Sequence, residues 1–155
     1  LIHHNLVELT KMRSSEGDRI ESTLVKRLSK IVKIVAQVRK RMPKILEMAR
    51  KKQLERINKL EINADPARLE TELALIAQKL DVDEEVDRLE SHVKEIHVTL
   101  KSSMPAGRRL DFLMQELNRE ANTLGSKSAD AETSKAAVDL KVLIEQMREQ
   151  VQNVE

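Results

Sequence analysis

The chain has 155 residues, a net charge of +2, 35% charged residues, no cysteine, one aromatic residue (Phe112), three glycines and three prolines. This profile excludes disulfides and thiolate metal sites and contains no apolar run near the ~18 residues of a membrane span; it is the profile of long amphipathic helices. Charge is unevenly spread: residues 26–59 hold thirteen Lys/Arg against two acids, whereas residues 60–155 hold twelve basic and twenty acidic side chains.

Residues 1–23 are weakly patterned. Ile2, Leu6, Leu9 and Met12 hint at a helix, and Gly17 interrupts it at modest cost without breaking it. His3 and His4 are adjacent, so they point to different sides of a helix and make a poor metal site. The chain opens Leu1-Ile2-His3-His4 without a methionine, which reads as a C-terminal fragment. No signal-peptide pattern is visible, and a cytoplasmic location is the default expectation.

From Leu24 the pattern is strict: Leu24, Leu28, Ile31, Val35, Val38, Met42 and Ile45 repeat at alternating spacings of four and three. This is a heptad seam, expected of a helix that packs along other helices. Pro43 lacks an amide donor and clashes with the preceding turn, so a kink or break is expected near Arg41. Beyond it the seam loosens to Leu46, Ala49, Gln53, Ile57 and Leu60. Few acids share the face, so few i to i+4 ion pairs form and the cations repel one another. A polyanion such as RNA would relieve that repulsion through phosphate neutralisation and counterion release. Arg39, Arg41, Lys44 and Arg50 are the candidate contacts. Without Tyr, Trp or a nearby Phe, binding would run through the backbone with weak sequence selectivity. A solvated face or an acidic partner chain is the bland alternative. The expected organisation is a basic arm over 1–62, serving oligomerisation and RNA clamping, and a helical domain over 63–155.

Asn63-Ala64-Asp65-Pro66 is a turn signal, with Asp65 capping a helix that begins at Pro66. Leu69, Leu73, Ile76 and Leu80 form its stripe. The phase then slips to Val82, Val86, Leu89, Val93, Ile96 and Leu100, which marks a new helix. Asp81 with Glu84 three residues later fits a reciprocal N-terminal cap. Five acids, Asp81, Asp83, Glu84, Glu85 and Asp87, fall within seven residues. They read either as helix-start acids favoured by the dipole, with Arg88 pairing Glu84 or Glu85, or as carboxylate ligands for Mg²⁺ or Mn²⁺ with His92 or water.

Ser102 to Gly107 reads as a loop. Arg108 and Arg109 follow, placed to meet phosphate at the start of the next helix. There Leu110, Met114, Leu117, Ala121 and Leu124 make the apolar stripe. Beside it lie Asp111, Gln115, Asn118 and Asn122, and then Glu116, Arg119, Glu120 and Thr123. These amides, carboxylates and arginine can bind phosphate, ribose or a hydrated cation, or can satisfy neighbouring backbone. The functional reading brings Glu116, Glu120 and Asp111 near the Asp81–Glu85 block, so that a cation between two acidic helices activates water and polarises a phosphodiester. Arg108, Arg119 and Lys127 would hold phosphate or stabilise developing charge. His92 is the best general acid/base candidate, as the one histidine in a polar constellation, while His97 lies on another side. Gly125 suits a C-terminal cap and Ser128 or Asp130 the next N-cap. The last helix presents Ala136, Leu140, Leu143, Met147, Val151 and Val154.

The wording GRRLDFLMQELNREANTLGSKS (107–128), preceded by IAQKLDVDEEVDRLESHVKE and followed by LIEQMREQVQNVE, resembles the C-terminal region of the YicC-like (YicC/YloC) family of bacterial endoribonucleases. The likeness is close over about 69–155 and looser before. It implies RNA as substrate, a divalent cation (Mg²⁺ or Mn²⁺) and ring-like homo-oligomers that close around RNA. It also favours the ligand reading of the block that holds Asp81, Glu84 and Glu85. With Glu116 and Glu120 as the ligands from the facing helix, the reading of the residues gives His92, Glu85 and Glu120 as the catalytic candidates and Arg88, Arg108, Arg109, Arg119 and Lys127 among the RNA contacts. The fold expected is an all-α, elongated helical bundle. A non-catalytic RNA-binding or scaffold module remains the alternative.

Overall fold

The computed structural model describes residues 1–60, 63, 65–102 and 106–154. Among them are five helices and no strand: α1 (Ile2–Lys59), α2 (Pro66–Leu80), α3 (Asp83–Lys101), α4 (Gly107–Lys127) and α5 (Ala131–Val154). The all-α expectation therefore holds. The turn expected at 63–66 and the loop expected at 102–107 fall partly outside the described residues, as does the side chain of Val154. No helix among the described residues is long and apolar enough to cross a membrane.

The heptad seam of α1 is buried from end to end, with Leu24, Leu28, Ile31, Val35, Val38, Met42 and Ile45 all in the core. It packs on α3 and α5, while the later part of α1 meets α2. Beyond Ile45 the seam frays: Leu46, Ala49, Gln53 and Ile57 are half-buried and Leu60 is exposed. Before it, residues 2–19 are helical with every side chain exposed.

Pro43 does not divide α1, so of the kink or break expected near Arg41 the break does not occur. The seam stays in phase across it, and burial of Val38, Met42 and Ile45 on either side offsets the missing backbone donor. Because Pro43 itself is exposed, Pro43→Ala is expected to raise stability by about 1–2 kcal/mol. That is below the ~3 kcal/mol helix penalty of proline, because alanine frees the unfolded chain. Thermal denaturation of the two proteins checks it.

Helices α3, α4 and α5 form the rest of the bundle, with α4 between the other two. The pairs Glu85–Lys127, Arg88–Glu120 and Glu95–Arg109 fall in opposite order along α3 and α4, so these helices are antiparallel. Asp111–Arg148 and the Gly125–Ala137 approach make α4 and α5 antiparallel too. The stripe expected on α4 is buried in full, joined by Leu113. On α5 the buried face is Thr133, Ala137, Leu140, Ile144, Met147 and Val151, rotated from the expected one; Ala136 and Leu143 are only half-buried. Gly125 lies inside α4, not at its cap, and faces α5: a Cβ there would meet the Cβ of Ala137 at 3.4 Å, an ordinary van der Waals contact.

Two caps differ in detail from expectation. The Asp81 carboxylate accepts the Asp83 N–H at 2.9 Å one step ahead of α3, whose N-cap is Val82, and Glu84 turns to Arg88 instead of reaching back. Asp130 accepts the Thr133 N–H at 3.3 Å, as an N-cap should, and also receives Arg41 of α1 at 2.6 Å. Burial alone would push the Asp130 carboxyl up, but hydrogen bonds from Thr133 and Arg41 outweigh it and hold the group below the usual carboxylate range. A folded pKa lowered in this way adds stability that is complete above the unfolded value of about 3.9 and is lost as pH falls through the folded value. Acid unfolding followed by circular dichroism should therefore show a component below about pH 4 that Asp130→Ala removes.

Candidate functional site

The α3–α4 contact sets the site. On α3, Arg88 and His92 are one turn apart, flanking the core residues Leu89 and Val93; on α4, Glu116 and Glu120 are one turn apart, flanking Leu117 and Ala121. Burying those apolar neighbours against one another forces the polar flanks together in antiparallel register. The outcome is a cluster in which potential ligand atoms of His92, Glu116 and Glu120 all lie within 4.8 Å of one another. Glu120 is only 3% exposed, and the Nδ1 of His92 is buried without a hydrogen-bond partner. Arg88 bridges Glu84 of its own helix and Glu120 at 3.4 Å.

A second polar contact lies one end further along the same seam. Lys127 donates to the Glu85 carboxylate at 2.8 Å and to the Asp81 carbonyl at 3.3 Å. The hydrogen bond to Glu85 outweighs burial and raises the Lys127 pKa above its ordinary value, with help from the charges of Glu84 and Asp81. Glu85 is 5% exposed and keeps its other carboxylate oxygen buried without a partner.

The five acids expected to hold a cation are thus divided. Glu116 and Glu120 converge with His92. Asp81 engages its own helix start, Glu84 pairs with Arg88, and Glu85 pairs with Lys127. Asp111 faces α5, 3.6 Å from Arg148. Among the expected phosphate contacts, Arg109 pairs with Glu95 at 2.6 Å and lies 5.5 Å from the Phe112 ring centre, whereas Arg108 and Arg119 are exposed. All three residues were candidates in the sequence, Glu116 and Glu120 as cation ligands and His92 as a ligand or acid–base group, but which of the candidates meet one another is set only by the helix register.

The basic face of α1 is also sorted by the fold. Arg39 bonds Asp87 at 2.6 Å and Glu90 at 3.3 Å, Arg41 bonds Asp130 and Glu132, and Arg50 reaches Glu70 at 3.3 Å. The sequence suggested unpaired cations because it reveals only partners within a helix; these acids come from α2, α3, α5 and, for Asp130, the connection before α5. The lysines differ. Lys26, Lys30, Lys33, Lys40, Lys44 and Lys51 are exposed on the side of α1 away from the seam and form no ion pair among the described residues.

Residues 38–155 match the family model described as endoribonuclease YicC-like, C-terminal. The chain is 49% identical over 150 residues to the probable endoribonuclease YicC of Haemophilus influenzae, and 36% identical over 155 residues to that of Clostridioides difficile. Each match covers 97% of this chain and 52% of the relative, so the chain spans about half the length of the curated relatives it matches. With most of its residues inside that family model, and with the α3 and α4 segments both within the matched range, the chain belongs to the YicC-like endoribonuclease family.

Proposed function

We propose that this chain provides the cation- and RNA-binding part of an endoribonuclease that hydrolyses RNA phosphodiester bonds with Mn²⁺ or Mg²⁺. One observation carries the reading: His92, Glu116 and Glu120 converge beside Arg88 on facing helices. Two carboxylates and an imidazole make a donor set that suits Mn²⁺ better than Mg²⁺. Ligands held at ~2.0–2.2 Å by one ion stand at most ~4.4 Å apart, so a set already within 4.8 Å needs little adjustment. The unbonded, buried Nδ1 of His92 fits a ligand role for that side chain.

Glu116, Glu120 and His92 would hold the ion, which when bound supplies Lewis-acid activation of water and of the phosphodiester. Ligation by His92 then replaces its expected acid–base role. Arg88, already at the edge of the cluster, takes a phosphate oxygen and offsets charge on it. Asp81, Glu84 and Glu85 act as rim charges that position Arg88 and Lys127. RNA runs along the lysine face of α1, bound through its phosphates. The exposed apolar positions Ile2, Leu6 and Leu9 support self-association of the chain through the start of α1. A cytoplasmic location is in keeping with an RNA substrate.

The alternative is an RNA-binding helical module without chemistry, favoured by the fact that Arg88 already neutralises Glu120. Structured RNA incubated with the chain separates the two. Cleavage that needs Mn²⁺, stops on chelation, and is lost in His92→Asn and Glu116→Gln is the expected result. Salt-sensitive RNA binding with no uptake of Mn²⁺ in titration calorimetry would select the module instead.

A further inference from the structure

A groove of ≈ 430 Å³ lies where α1 passes Ile76 of α2 and the α4–α5 connection at Ala129 and Asp130. Its floor is apolar, from Ile45, Met48 and Ile76, and its rim is cationic, from Lys44, Lys52 and Arg56. Two features set it apart from an ordinary solvated surface. Met48 is 61% exposed, which leaves a large flexible thioether in water beside charged neighbours. Lys44, Lys52 and Arg56 are exposed and form no ion pair among the described residues, although Arg41 in the same groove is tied to Asp130 and Glu132.

We infer that this groove is a single-nucleotide subsite for single-stranded RNA, with a base laid on Met48 and the aliphatic floor and its flanking phosphates on Lys44, Lys52 and Arg56. The inference rests on the RNA-binding reading above and adds to it a defined place where a base is bound. The size suits one nucleotide, within the range of small-ligand pockets. The chain offers no Tyr or Trp here, so an aromatic platform is absent from the groove, but a thioether makes favourable contacts with aromatic rings and adapts to any of them. The rim matches a strand in charge and in rhythm. Lys52 and Arg56 are four residues apart, about 6 Å along the helix axis, of the order of successive phosphates on an extended strand, and Lys44 lies about 12 Å before Lys52 on the other side of Met48, about two such steps. Lys44 also belongs to the outer lysine face, so a strand following that face leads into the groove. An acidic peptide would satisfy the rim, but it would not use a floor fitted to a flat ring.

The test uses the 155-residue chain with ¹³C-labelled Met and Ile methyls. Its probes are adenosine 5′-monophosphate, inorganic phosphate, a polyglutamate peptide and a short unstructured RNA oligonucleotide. The nucleotide and the oligonucleotide are expected to shift the Met48, Ile45 and Ile76 methyl signals saturably, while phosphate and polyglutamate leave them in place. Lys52→Glu combined with Arg56→Glu should weaken oligonucleotide binding by tenfold or more. It should also flatten the slope of log affinity against log salt by about 1.4, from two contacts at about 0.7 each. Met48→Ser should reduce affinity with the slope unchanged. Equal shifts with phosphate alone would overturn the base-binding subsite, and equal shifts with polyglutamate would assign the groove to an acidic protein. If the wild type binds RNA and the double variant binds it equally well, the subsite fails and the wider reading stands. If the wild type binds no RNA, both fail.

Discussion

Glu120→Gln is expected to lower Mn²⁺ affinity by at least about 100-fold and RNA cleavage with it. Loss of an outer-sphere partner alone typically costs 10–100-fold, and Glu120 is proposed as a direct ligand. The substitution keeps shape and polarity but removes the negative charge that both Arg88 and a cation would share. Little unfolding should follow, because Arg88 keeps Glu84 and a buried neutral amide is easier to accommodate than an unpaired charge. Paramagnetic titration of free Mn²⁺, alongside a cleavage assay and a melting curve, reads all three effects. Unchanged Mn²⁺ binding would remove Glu120 from the centre; lost binding with a much lower melting temperature would mean that its role is structural.

Lys127→Met is expected to destabilise the fold by about 2–4 kcal/mol. Removing one partner of a buried pair usually costs about 3–5 kcal/mol, because the other charge stays in a poor solvent. Here the figure is reduced because the lysine side chain keeps 32% of its exposure, while its partner Glu85 keeps 7%. Methionine preserves the stem packing, so the loss isolates the charge. Chemical denaturation checks the magnitude, and the double substitution with Glu85→Gln should recover a large part of it. The pH dependence has a definite sign. Lys127 has its pKa raised in the folded chain by Glu85, so its contribution is complete below the unfolded value of about 10.4 and fades only as pH climbs through the higher folded value. The difference between wild type and variant should therefore be flat around neutral pH and shrink in strong alkali. This also bears on the sequence reading of Lys127 as a phosphate contact, since a lysine already bonded to Glu85 and to the Asp81 carbonyl has fewer free donors for RNA.

Most of what depends on a period along one helix was legible in the sequence, the buried face of α5 excepted. The buried seam from Leu24 to Ile45, the stripe from Leu110 to Leu124, the Asp65 start of α2 and the phase slip before Val82 are properties of neighbouring residues, and local geometry dictates them. The family likeness was legible for the same reason, since it lies in contiguous wording. What the tertiary structure alone decided is which charged groups meet. His92 finds Glu116 and Glu120 across two helices, Glu85 finds Lys127, and Arg39 and Arg41 find acids on α3 and α5. Each pairing is set by the axial register and rotation of packed helices, which depend on the whole core. The continuation of α1 through Pro43, with Val38, Met42 and Ile45 buried on either side, is a case where packing between helices outweighs a local preference.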